Sequence, residues 1–314
     1  MALAVHSFAK INLGLRIGPR RGDGFHELRT VYQTIALHDT IKIDVKPGMG
    51  IEVRSKDARV PQDESNTCYR MAERVLKALK LRKKVTLYIE KRLPIEGGVG
   101  GASSNAVATL LGLERALKVK IDSEEKLRLA QETGSDCPLF LVGGTVLGLG
   151  RGEDVYPLPD LPALDCVLVA PDVGVSTPRA FADWDKLTAS DHSDTMNGFS
   201  RSVWSWLCGS TTGVPARSGD RAEALLLDLV RAGIENDFER VVFPQHSELR
   251  EVKRALERAG ASFASLSGSG SSLFGLFPSS AGAEKAAKKL SADGLRAMAT
   301  RTLPRNVYWK NLWG

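Results

Sequence analysis

The stretch from Leu93 to Ala106, LPIEGGVGGASSNA, leaves few folds open to this chain. Just upstream, Val85, Leu87 and Ile89 alternate with polar partners, the period of a half-buried strand. Just downstream, Ala106, Leu110, Leu113 and Leu117 recur at helical spacing. The order is strand, glycine-rich loop, helix. Such an order aims free backbone N–H groups and the positive end of a helix dipole at one spot, which suits a polyphosphate. Glycine serves here because side chains would hold phosphates away from the backbone. The loop is not a Walker A loop, since no Lys-Ser or Lys-Thr pair ends it. Nor does it fit G-x-G-x-x-G: Gly98 and Gly100 take the first two places, but Ser103 takes the third. Taken alone, it also reads as a plain turn with a serine N-cap.

The remainder of the chain narrows the choice. At 314 residues and 43% hydrophobic content, one large domain or two ordinary ones can each bury a core. No run of 18 or more apolar residues exists, and the alternating start MALAVHSFAKINLGLRI lacks the form of a signal peptide. Cys68, Cys137, Cys166 and Cys208 are far apart and form no metal-ligand spacing, and the histidines make no zinc motif. A reduced, cytoplasmic setting is expected. The net charge of +6 favours anionic partners. The basic residues are scattered and no Lys/Arg tract interleaves with aromatics, so a nucleic-acid groove is not indicated.

In chain order, Ser7 to Ile17 reads as a first strand with Ala9, Ile11, Leu13 and Leu15 facing a core. Lys10 and Asn12 share its other face, about 6.6 Å apart from the strand rise; the bland reading of that face is solvent. The turn PRRGDGFHELRT carries Phe25 and His26 at or just beyond its tip. A strand marked by Ile41, Ile43 and Val45 follows, then loops at Pro47–Met49 and Pro61–Ser65 and a helix from Cys68 to Leu81. After the glycine-rich loop, Asp122 to Thr133 reads as a helix, with Asp122 and Glu125 as a capping box and Gly134 as its end. Asp136, in Ser-Asp-Cys-Pro, reads on residue type as the cap of a short helix through Pro138 and Phe140. The run from Phe140 to Leu158 reads as hairpin strands.

A proline-marked link near Asp160 to Ala163 divides the chain into an N-terminal unit, 1–160, and a C-terminal unit, 161–314. In the second unit, Cys166–Ala170, Ser247–Arg258, Phe263–Leu266, Leu273–Phe277, Ala281–Leu290 and Arg296–Leu303 alternate as β-α-β-β-α-β, the ferredoxin-like order. An insertion of Ser, Thr, Asp and Gly at about 188–221 interrupts it, with Trp204 and Trp206 suggesting that part of it packs.

Three motifs now stand in order: AKINLGLRI, LPIEGGVGGASSNA and LSGSGSSLFGLF. Together they resemble the GHMP kinases. AKINLGL, GDGFHEL and GSDCPLF resemble the members that act on a cytidine diphosphate-linked methylerythritol in isoprenoid precursor synthesis. The match runs from about Ala9 to Phe277, and only the insertion stands clearly outside it. The resemblance implies an α+β, two-domain fold, with an N-terminal ribosomal-protein-like β/α domain and a C-terminal ferredoxin-like domain. It implies ATP as phosphoryl donor and a 2-hydroxyl as acceptor. Asp136 would be the catalytic base and Lys10 its partner. Pro94, Ile95, Glu96, Gly97, Gly98, Val99, Gly100, Gly101, Ala102, Ser103 and Ser104 would form the ATP loop, with Asn66 near the adenine. Phe25 and His26 would hold the cytosine, Phe181 would be a second stacking ring, and Asn12 would lie beside the reacting alcohol. Mg2+ would bridge the ATP phosphates with few protein ligands; Ser104 is the candidate to reach it. The partner expected is a small molecule, with neither nucleic acid nor membrane, acting on a monomer or weak homodimer.

The chemistry agrees with these roles. An alcohol is a poor nucleophile at neutral pH, and a carboxylate within hydrogen-bond reach accepts its proton as the new bond forms. A nearby lysine keeps that carboxylate ionised and offsets charge on the transferring phosphoryl group. A cytosine offers a π-face to Phe25 and a polar edge to His26. The loop departs from the family pattern at Val99 and Ala102, and Glu96 is expected to turn to solvent, since it would repel phosphate. Another GHMP small-molecule kinase, acting on homoserine or mevalonate, would not need the Phe25–His26 pair. A nucleic-acid binder would lose affinity steeply with salt.

Overall fold

The computed structural model describes residues 2–187, 196–203 and 234–314. It contains two sheets. The first is assembled on a hairpin, β1 (Leu3–Arg20) and β2 (His26–Pro47), far longer than an ordinary strand pair. Bulges between Phe8 and Ala9, Asn12 and Gly14, and Ile17 and Arg20 let it bend. The other edge of β2 is shared. Thr40–Pro47 pair with β4 (Lys83–Glu90), and Thr30–Gln33 pair with β5 (Thr145–Leu149), which in turn pairs with β6 (Asp154–Pro157). A strand not expected from the sequence, β3 (Gly50–Ser55), joins β4 in parallel.

Helices α1 (Thr67–Ala78), α2 (Gly101–Ala116), α3 (Ser123–Thr133) and α4 (Cys137–Val142) cover one side of this sheet. Asn66 caps α1 by accepting from the Cys68 amide, and Asp122 caps α3 by accepting from the Glu125 amide, as its spacing implies. The expected hairpin from Phe140 to Leu158 is a strand pair only from Thr145; Phe140 to Val142 are helical. The turn of α4 buries Leu139 and Phe140 against α2 and ends at Gly143, whose φ is +69°. A side chain there would strike the Tyr308 ring at 2.3 Å.

The second sheet has the order β10-β7-β9-β8, all antiparallel, from β7 (Asp165–Val169), β8 (Phe263–Leu266), β9 (Leu273–Phe277) and β10 (Ala297–Arg301). Helices α7 (Ser247–Arg258) and α8 (Ser280–Ala292) pack on one face, completing the β-α-β-β-α-β order, while α5 (Thr177–Leu187) and α6 (Glu239–Gln245) precede α7. β7 shows the two-residue period plainly. Val167 and Val169 point into the helix-side core, and Cys166 and Leu168 into the seam against the first sheet. Ala9, Ile11 and Leu13 of β1 close that seam from the other side. β1 is therefore buried on both faces. Lys10 and Asn12, whose face read as solvent, are 2% and 1% exposed.

Of the expected insertion, residues 196–203 are helical, with Phe199 and Val203 in the seam; 188–195 and 204–221, including Trp204 and Trp206, lie outside the described residues. The chain ends back on the first sheet. There α9 (Arg305–Lys310) packs Tyr308 into the core, and the His6 amide donates to the Leu312 carbonyl at 2.8 Å.

Candidate active site

The glycine-rich loop is held through its own main-chain atoms on three sides. From β1, the Lys10 amide donates to Val99 O at 3.0 Å. From the turn between β8 and β9, the Ser272 amide donates to Gly97 O at 3.2 Å and the Ser267 hydroxyl to Gly98 O at 3.0 Å. At the start of the loop, the buried carboxylate of Asp39 accepts from the amides of Arg92 and Leu93, from Lys91 Nζ at 2.6 Å and from Asn105 Nδ2 at 3.0 Å. The first and third motifs thus clasp the second. The glycines answer to this clasp as much as to phosphate. Gly98 has φ +70°, and a Cβ there would lie 2.1 Å from Ser267 O.

Gly100, also at positive φ, is the N-cap of α2 and supplies no capping side chain, so the first amides of the helix face the cleft. Ala102 lies in the first helical turn, where alanine is at ease, and Glu96 is exposed at the rim with φ +57°. The cleft so formed has a volume of about 350 Å³ and is lined by Pro94 through Ser103 together with Asn66. Asn66 faces it while capping α1 and donating to Pro61 O at 2.6 Å. Ser104 does not line it. That residue is buried, its hydroxyl accepts from Ser7 at 2.8 Å and its amide donates to Gly100 O.

On the other side of Gly98 and Gly100 opens a second cleft of about 310 Å³. It collects Lys10, Asn12, Phe25, His26, Asp136 and Phe181, six positions drawn from β1, the hairpin turn, β2, α4 and α5. The loop is the wall between the two clefts. Lys10 Nζ lies 3.4 Å from Asp136 Oδ2 and donates to Asn12 Oδ1 at 2.7 Å. Asp136 occupies the N-cap position of α4, yet its carboxylate makes no capping hydrogen bond. The cap reading and the base reading therefore separate: position belongs to the helix, side chain to the cleft.

At the far end, His26 Nε2 sits 2.6 Å from Asp185 Oδ1, and its ring lies flat on Phe181, 4.8 Å between centroids and 8° between planes. The Phe181 face that the resemblance gives to a base is here covered by imidazole. Phe25 is half exposed, and the Arg151 guanidinium lies over its ring at 4.9 Å. Arg151 is held by Glu153, which accepts from its Nε at 2.9 Å and from its backbone amide at 2.6 Å.

Sequence reasoning missed Tyr32, Thr30, Arg151 and Asp39. Hairpin register would have found the first, since Tyr32 is the cross-strand partner of Asn12. Burial and the adjacent Asp136 carboxylate push the Tyr32 phenol well above its ordinary value. Burial likewise pushes the Cys68 and Cys137 thiols up to about 12, so neither is a nucleophile here. Among the described residues no helix is long and apolar enough to cross a membrane.

Two clefts meeting at a glycine loop, with a lysine–carboxylate pair at the junction, define a small-molecule kinase, and wider comparison agrees. Residues 66–144 match the model of the GHMP kinases N terminal domain, and residues 218–295 that of the GHMP kinases C terminal. The chain belongs to the GHMP kinase family, whose members take ATP as phosphoryl donor. It is 38% identical over 278 residues to the 4-diphosphocytidyl-2-C-methyl-D-erythritol kinase of Solibacter usitatus, covering 87% of this chain and 80% of the relative. The crystal structure of a 4-(cytidine 5'-diphospho)-2C-methyl-D-erythritol kinase superimposes with a TM-score of 0.73 at 30% identity, over 96% of this chain and 99% of the other. A homoserine kinase from Cytophaga hutchinsonii superimposes with a TM-score of 0.70 at 21% identity, over 96% and 95%, a likeness of fold alone.

Proposed function

We propose that this chain transfers the γ-phosphoryl group of ATP to the 2-hydroxyl of 4-diphosphocytidyl-2-C-methyl-D-erythritol, a step of non-mevalonate isoprenoid precursor synthesis. The observation that carries the reading is the meeting of Lys10 and Asp136 on the wall between a nucleotide cleft and a cleft ending in Phe25, His26 and Phe181. The first amides of α2 and the loop receive the triphosphate. Asp136 accepts the proton of the acceptor alcohol, and Lys10, desolvated and fixed by Asn12, stabilises the charge that gathers on the transferring group. His26 reads the polar edge of the cytosine, and Phe25 and Phe181 supply ring faces once Phe181 swings from the imidazole.

Magnesium fits as a companion of the nucleotide rather than as a resident of the protein. Among the described residues no three of His, Cys, Asp or Glu gather as a cage, and Asp136 already has Lys10 and Tyr32. When bound, the ion offsets phosphate charge through phosphate and water ligands. The reading places the enzyme in the cytoplasm, acting as a monomer or weak homodimer.

The test is ADP release by purified protein with ATP and Mg2+, offered in turn the cytidine-linked methylerythritol, homoserine and mevalonate. Turnover confined to the first is expected. Turnover of either of the others at comparable kcat/KM would overturn the assignment and leave only the family.

A further inference from the structure

The sheet holds the two oxygens of Asp136 differently. Oδ1 accepts a hydrogen bond from the Tyr32 hydroxyl at 3.1 Å. Oδ2 faces Lys10 Nζ at 3.4 Å, an ion pair longer than a good charge-assisted hydrogen bond, because that ammonium is directed at Asn12 Oδ1, 2.7 Å away. The direction is enforced from behind. The Thr30 hydroxyl gives its only proton to Gly14 O at 2.7 Å, so toward Asn12 it can only accept. The Asn12 amide must then present its NH2 to Thr30 and its oxygen to Lys10. Tyr32 is equally confined. It is 2% exposed, its ring lies beneath the Lys10 ammonium at 5.5 Å, and a side chain at Gly152 would stand 2.3 Å from its hydroxyl.

We propose that Tyr32 is a positioning residue for the base: its hydroxyl fixes Oδ1 of Asp136, so that Oδ2 is the oxygen left to take the proton of the acceptor alcohol. The proposal rests on the kinase reading of this cleft. A donor that is itself neutral and stays protonated across the working range, as burial ensures for this phenol, orients the carboxylate without adding a charge that titrates. The other charged or titratable groups around the pair are Lys10 on β1, His26 on β2, Cys137 on α4, and Arg151 and Glu153 in the turn between β5 and β6. None of these donates a hydrogen bond to Oδ1 among the described residues.

The experiment compares Tyr32→Phe, which keeps the ring, with Tyr32→Leu, which removes it. In Tyr32→Phe the carboxylate loses its donor, protonates more readily, and the acidic limb of the kcat/KM profile for the alcohol moves to higher pH by about 0.5 to 1 unit. Above that limb kcat falls by about three- to tenfold, with KM for both substrates within about twofold of wild type. A second readout needs no turnover. In protein carrying 13C-labelled aspartate, with the Asp136 signal identified by its loss in Asp136→Asn, the titration midpoint rises in Tyr32→Phe. If wild-type protein fails to turn over the cytidine-linked alcohol, the functional reading falls while the Asp136 titration still decides the role of Tyr32. The proposal is overturned if that midpoint is the same in wild type and Tyr32→Phe. It is equally overturned if Tyr32→Phe matches wild type in both readouts while only Tyr32→Leu is impaired, which would assign Tyr32 to packing.

Discussion

Around the nucleotide cleft, the loop is held through its own main chain. Val99, Gly97 and Gly98 offer carbonyls to Lys10, Ser272 and Ser267, and Asp39 gathers the amides at the loop's start. Around the second cleft, side chains meet side chains: Lys10 with Asp136 and Asn12, Tyr32 with Asp136, His26 with Asp185 and Phe181, Arg151 with Phe25. Both clefts have similar volumes and share Gly98 and Gly100 as a wall. The first is rigid because backbone hydrogen bonds and absent Cβ atoms leave it one arrangement. The second is adjustable because rotamers define it. That division suits a family in which the donor is constant and the acceptor varies: a common phosphoryl donor calls for a fixed cradle, and a new alcohol calls only for new side chains.

The sharpest way to break this comparison lies at the junction. Asp136→Asn and Lys10→Ala remove the proton acceptor and the fixed cation, and each is expected to lower kcat by about 10³-fold. ATP affinity should hold within a few-fold, because neither side chain builds the loop. Asp136 makes no capping hydrogen bond, so Asp136→Asn costs the helix nothing, but it takes the facing carboxylate from the buried Lys10 ammonium, and a lower thermal midpoint is expected. Single-turnover rates and calorimetric nucleotide binding on the same preparations separate the two effects. Wild-type kcat in Asp136→Asn would remove the base from its role.

Next in size is Gly98→Ala. A left-handed φ of +70° costs an alanine about 1–2 kcal/mol. The added methyl would also lie 2.1 Å from the Ser267 carbonyl, in a turn held on either side by Asn236, whose amide donates to Leu266 O and Gly268 O. A loss of about 3 kcal/mol in stability is expected, with KM for ATP raised more than about tenfold. Gly22→Ala is the control. Nothing lies within 4 Å of a Cβ there, so both quantities should stay at wild-type values. If the two variants unfold at the same temperature, the loop is looser than its hydrogen bonds imply.

The same division explains what could be read without coordinates. The loop is contiguous in sequence, so strand period, glycine run and helical period announce it within about thirty residues. The ferredoxin-like order was equally legible, because β7, α7, β8, β9, α8 and β10 each carry their own period. The second cleft brings together Lys10, His26, Asp136 and Phe181, and no local pattern links such distant positions; only resemblance to a family did. Resemblance in turn passed over Tyr32, Thr30 and Asp39, which touch other side chains or the backbone. The enclosed setting of Lys10 and Asn12 was hidden for a related reason. β1 does alternate apolar and polar residues, so the face of Lys10 and Asn12 reads as solvent; it is closed by the loop at Gly100, by Phe140 and by the turn at Gly268, all far along the chain.

His26→Ala probes the adjustable cleft on its own. If imidazole reads the cytosine edge, its loss should raise KM for the cytidine-linked alcohol by about ten- to thirtyfold, roughly one well-placed hydrogen bond with its desolvation. KM for ATP should stay as it was. Because His26 also holds Asp185 and stacks on Phe181, Asp185→Asn is the companion variant. It removes the carboxylate that competes for Nε2, and a lower KM for the alcohol is expected. Equal effects of His26→Ala on both substrates would mean that the clefts are not independent.

The smallest effect should come from Phe25→Leu. Phe25 is 51% exposed, so its replacement leaves no cavity and little change in stability. Its ring has two possible tasks, a face for the base and a platform for Arg151, and each is worth about 0.5–1.5 kcal/mol. A two- to tenfold rise in KM for the alcohol follows if either is in use. Binding of cytidine and of CDP to the variant tells them apart. Loss of both ligands alike assigns the ring to the base. Loss confined to CDP assigns it to holding the guanidinium against a diphosphate. In neither case should ATP respond, since no backbone atom of the loop moves when one exposed ring on the far rim is trimmed.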